Sequence, residues 1–88
     1  MALIGADVEA LRNLGNRLNN GASEIQNQKN QLNNQLRGVE WRGQDADQFR
    51  SQWDTEHLPA LERVARALEE AGKQATRNAQ QQEDTSRG

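Results

Sequence analysis

Ile4, Leu11, Leu18, Ile25, Leu32 and Val39 recur every seven residues, and the pattern stops at Trp41-Arg42-Gly43, the midpoint of the chain. A seven-residue apolar repeat puts one stripe along an α-helix and favours left-handed supercoiling against a neighbour. A second helical pattern follows, in which Phe49, Trp53, Ala60 with Leu61, Val64, Leu68, Ala71 and Ala75 mark one face. Gly43 lies between the two and reaches φ > 0 without a Cβ clash, so it is the residue expected to close the turn. Two long helices joined by a short glycine-bearing tip predict an all-α, antiparallel two-helix hairpin.

Terminal signals sharpen the outline. Asp7 is an N-cap candidate, with Glu9 favourably placed in the first turn. Asp45 followed by Gln48 reads as a capping box for the second helix. Pro59 lacks an N–H and is expected to bend that helix about a turn upstream, near Thr55. The chain is therefore read as one domain, residues 1–88. Helix one covers about 8–38, the Trp-x-Gly tip about 39–44, helix two about 45–79, and a frayed polar tail 80–88.

Gly15 and Gly21 each cost about 1 kcal/mol relative to Ala inside a helix. Gly21 lies on the seam, where it admits a close helix approach or a bulky partner side chain, or else is simply a tolerated weak spot. The Asn and Gln residues that crowd the first arm read as a solvated helix face, because the seven-residue repeat runs through them unbroken.

Only 33% of residues are hydrophobic and 3% aromatic, with a mean hydropathy of −1.11, so a large core is out of reach. Each arm carries one narrow stripe, and the chain has no Cys to staple it. Dimerisation into a four-helix bundle is the expected remedy. Leu11, Leu18, Gly21, Ile25 and Leu32 of the first arm, with Phe49, Trp53, Leu61, Val64 and Leu68 of the second, are the residues expected to pack in core and dimer. Helices of some 30 residues give a hairpin of roughly 45 Å.

Net charge is −2 and the two signs are interspersed, which speaks against a nucleic-acid surface. The longest apolar run, at Met1–Ile4, is far short of the ~20 residues of a membrane span and lacks a signal peptide's basic and apolar regions. Stable membrane insertion is not expected, and narrow stripes suit membrane disruption poorly. His57 is the only histidine and reads as a surface or boundary residue, too solitary to hold a metal. The acid pairs Asp45/Asp47, Glu69/Glu70 and Glu83/Asp84 do not converge on one point, since such near neighbours on a helix point apart. No nucleophile–base pair or phosphate loop is present, so neither catalysis nor a cofactor is expected.

Trp41-Arg42-Gly43 with Ala46 and Phe49 resembles the Trp-x-Gly, small residue, Phe pattern of the WXG proteins, ESAT-like substrates of type VII secretion. The resemblance covers nearly the whole chain. It implies a helical hairpin that pairs with itself or another WXG-like protein, exported as a folded dimer without a cleaved signal peptide. It also makes Trp41 and Gly43 part of an export-recognition surface read by the secretion ATPase. The family carries a Tyr followed four residues later by an acid after helix two. Here Glu83 matches the acid, while Ala79 stands where the Tyr is expected and the chain has no Tyr. A partner that supplies the Tyr-bearing tail is the implied arrangement, with this chain as an export companion. An intracellular helical dimerisation module is the alternative left open.

Overall fold

The computed structural model describes residues 7–87 as two helical arms laid side by side. Helix α1 spans Val8–Gly38. After a short tip, α2 runs Gln44–Gln52, a π-helical turn spans Trp53–His57, and α3 continues Leu58–Arg87. Among the described residues there is no strand. The molecule is a rod of 65 × 17 × 15 Å, longer than the hairpin expected from two equal arms because the second arm runs on to Arg87.

Local chemistry sets the ends. The Asp7 carboxylate accepts from the N–H groups of Glu9 at 2.9 Å and Ala10 at 3.2 Å, satisfying two of the open donors of the first turn. The second arm starts differently from the expected Asp45 capping box. Gly43 is the N-cap, makes no side-chain cap, and its carbonyl accepts from Asp47 N–H at 3.0 Å. The helix therefore begins one residue earlier, and Asp45 and Asp47 act as acids in its first turn, where they favour the positive end of the dipole.

Pro59 acts where the sequence places it. With no N–H at position 59, the Thr55 carbonyl has no α-helical donor. The ladder widens just upstream, with Leu58 N–H donating to Trp53 O across five residues. The Thr55 hydroxyl meanwhile donates to Ser51 O at 2.8 Å.

Apart from Trp53, the interior of the hairpin is made of small residues. Gly15 and Ala22 of α1 are buried, as are Ala46, Trp53, Ala65, Gly72, Ala75 and Ala79 of the second arm. Leu11, Leu18 and Ile25, from the seven-residue stripe, are only half-buried beside this seam. Leu32 and Val39 are exposed, and Ile4 lies outside the described residues. On the second arm Phe49, Leu61 and Leu68 are half-buried, while Val64 and Ala71 are exposed. Large side chains would hold the axes apart, and alanine and glycine let them close, so the small-residue line turns inward.

The tightest crossing lies at Gly15 and Gly72, and within the hairpin Gly21 is not a point of close approach. A Cβ at Gly21 would meet only Leu68 Cδ1 at 3.6 Å, an ordinary contact. At Gly15 it would meet Thr76 Oγ1 at 2.7 Å and Gly72 O at 3.1 Å, and at Gly72 it would meet Gly15 O at 3.0 Å. Gly15 and Gly72 are thus the pair that lets the backbones touch.

Candidate functional site

The tip joins α1 to α2 through residues whose backbone is strained at one point. Gly43 has φ 118° and ψ 175°, the one positive φ among the described residues. A Cβ there would meet nothing within 4 Å, so the requirement is conformational and not one of space. Trp41 N–H donates to Val39 O at 3.1 Å, folding the chain back just before the glycine.

Trp41 is 40% exposed. Its ring lies 5.8 Å from that of Phe49, tilted by 45°, and Phe49 in turn lies 6.3 Å from His57. The indole is thereby supported from α2 and stays partly open to solvent. Trp53 has the opposite role. It is 7% exposed, and its indole N–H donates to Asn33 Oδ1 at 3.1 Å, so its one polar atom is satisfied within the hairpin.

Arg50 draws the tip together, and sequence reasoning missed it. Its Nη1 donates to Trp41 O at 2.7 Å and its Nη2 to Val39 O and Leu36 O, each at 3.3 Å, while Nε reaches Leu36 O at 3.4 Å. The last carbonyls of α1 have no helical partner and carry the negative end of the dipole, which suits a guanidinium. The same group lies over the Trp41 ring, with Cζ 5.9 Å from the centroid. The signal in the sequence was positional, since Arg50 stands one turn after Ala46 and one turn before Trp53 on a helix that must face α1.

The tail does not fray. Helix α3 extends through Arg87, and Ala79 is fully buried against the first arm. Arg12 donates to Glu83 at 2.7 Å from Nη2 and 3.5 Å from Nη1, and this hydrogen bond and charge raise the Arg12 pKa. The seam of small residues reaches position 79, and the ion pair clamps the turn beyond it, so the polar tail has a surface to lie on. Trp41 and Gly43 therefore stand at one end of the rod, while Ala79 and Glu83 lie beside the start of α1 at the other.

The larger apolar residues form a separate surface. Ile25, Leu32 and Leu61 line a shallow depression of about 250 Å³ with Glu24 and Gln28 at its edge. Leu32, Leu36 and Val39 line a second, of about 270 Å³, that leads toward the tip. Among the described residues no group of three or more His, Cys, Asp or Glu is placed to hold a metal ion. No described helix is long and apolar enough to cross a membrane.

A family model described as proteins of 100 residues with WXG matches residues 3–86. The chain belongs to the WXG100 family. Neither a curated protein nor a solved structure matches it. WXG100 proteins are small helical substrates of type VII secretion rather than enzymes, and they commonly pair with partners. The match spans both arms as well as the Trp-x-Gly tip, so the family assignment rests on the whole hairpin.

Proposed function

We propose that this WXG100 chain is exported by type VII secretion as half of a folded helical dimer, with Trp41 and Gly43 contributing to the surface that the secretion ATPase reads. The observation that carries the reading is the separation of the two ends. The tip holds a half-exposed indole on a fixed turn, whereas the chain's own tail is helical, buried at Ala79 and paired through Glu83 with Arg12. A Tyr-bearing tail beside Trp41 would thus have to come from a second chain. The exposed Leu14, Leu32, Val39 and Val64 support that second chain, because one hairpin leaves them uncovered.

The test is to co-express the chain with a second WXG-like protein, measure the mass of the pair in solution, and follow its appearance outside the cell. Trp41→Ala is expected to leave helicity nearly unchanged and to reduce export of the pair. Undiminished export of the Trp41→Ala pair would overturn the recognition role. A compact, cooperatively folding monomer at micromolar concentration, with or without the second protein, would overturn the dimer.

A further inference from the structure

The position of the Trp41 ring depends on something outside the Trp-x-Gly triplet. The turn supplies few constraints of its own: one N–H bond from Trp41 to Val39, an exposed ion pair between Arg42 and Glu40 at 2.9 Å, and a glycine with open space around it. Phe49 supports one face of the indole. The remaining ties converge on a single side chain. Arg50 bonds the carbonyls of Leu36, Val39 and Trp41 and lies over the indole.

We infer that Arg50 is the positioning residue of the tip, clamping the end of α1 to α2 and holding the Trp41 indole in its outward pose. The fork of the guanidinium matters as well as its charge. Nη1 and Nη2 address carbonyls two residues apart while Nε reaches back into the last turn of α1, and Cζ lies over the ring at 5.9 Å. A lysine ammonium can take one or two of these carbonyls and cannot reproduce the planar set. For export the inference rests on the reading of the tip as a recognition surface; for the geometry it does not.

The two indole N–H groups make the test internal to one sample, because Trp53 is tied to Asn33 and Trp41 is not. In the uniformly 15N-labelled full-length chain, with the signals assigned by Trp41→Phe, Arg50→Gln is expected to lower the Trp41 indole order parameter from about 0.85 to below about 0.6. The Trp53 signal and the helicity should stay as in the wild type. Arg50→Lys is expected to resemble Arg50→Gln. An unchanged Trp41 order parameter in Arg50→Gln would overturn the inference, as would equal loss at Trp41 and Trp53, which would make Arg50 a general stability residue. Full rescue by lysine would overturn the role of the fork. In the secretion assay, Arg50→Gln should reduce export about as far as Trp41→Ala does. A mobile Trp41 with undiminished export would leave the positioning role standing and overturn the recognition reading instead.

Discussion

The three seam glycines make a prediction in which helix propensity is held constant and only packing varies. Replacing any helical glycine with alanine gains about 1 kcal/mol from propensity alone. At Gly21 the new Cβ lies 3.6 Å from Leu68 Cδ1, ordinary contact, so the gain should be realised and Tm should rise by about 4–8 °C. At Gly72 the new Cβ lies 3.0 Å from the backbone oxygen of Gly15 and 3.5 Å from Leu18 Cβ and Asn19 N, none of which can swing away. Overpacking of this kind costs about 1–3 kcal/mol, which cancels or exceeds the propensity gain. Gly15→Ala is intermediate, since its closest neighbour at 2.7 Å, Thr76 Oγ1, moves away only by a change of the Thr76 χ1 rotamer, and Gly72 O stands behind it at 3.1 Å. The expected order of stability is Gly21→Ala above wild type, then Gly15→Ala, then Gly72→Ala, with about 1–3 kcal/mol between the extremes. Thermal and denaturant unfolding followed by circular dichroism at one fixed protein concentration measures this, because the Tm of the proposed dimer would depend on concentration. If Gly72→Ala stabilises as much as Gly21→Ala, the backbones do not cross where the structure has them.

Asn33→Ala removes the acceptor of the Trp53 indole and should cost about 0.5–1.5 kcal/mol, with a shift of the Trp53 Nε1–H signal that reports the lost bond. Ala79→Tyr, which would restore the family's aromatic, places a large ring at a fully buried position and should destabilise by about 1–3 kcal/mol or more, without creating an export signal; unfolding and secretion are measured on the same variant. Gly43→Val forces a β-branched residue toward φ 118° and should cost about 1–3 kcal/mol, with chemical-shift changes confined to the tip. Glu83→Gln should speed amide exchange in residues 80–87 and leave the tip unaffected, since the ion pair with Arg12 is at the far end.

The hairpin, the Asp7 cap and the irregularity before Pro59 were legible because each follows from a local rule: a period, a side-chain acceptor, a missing donor. The identity of the inward face was not. The stripe was chosen by its seven-residue period and by apolar size, and Leu11, Leu18, Ile25 and Leu32 are larger than Gly15 and Ala22. The choice is made by both arms at once, since Gly15 can face inward only when Gly72 meets it. The helical tail was missed for the same reason. Gln80-Gln81-Gln82-Glu83 has no apolar period, and its order comes from Ala79 packing on α1 and from Arg12, distant in sequence. Trp41 and Gly43 could be named from the sequence, but the side chain that fixes them could not, because the carbonyls that bind Arg50 become available only where α1 stops.

The two ends of the rod solve the same problem, a helix terminus that must be held, with opposite consequences for recognition. At the tip, open carbonyls are satisfied by a cation from the other arm, and the residues between are left on the surface with an indole facing out. At the far end, the seam itself continues to Ala79 and the Glu83 carboxylate bonds Arg12, so the two tail residues that face the first arm are held by it. Ala79, already buried between two helices, has no area left for a partner, whereas Trp41 keeps about 40% of its surface open. The arrangement explains why an alanine can stand where the family's tail carries tyrosine: position 79 faces α1, and a phenol there would part the arms. Under the proposed function it also separates the stability of the chain from its recognition at the tip. Changes along the seam should act mainly on folding, and changes at Trp41 or Arg50 mainly on what meets the tip.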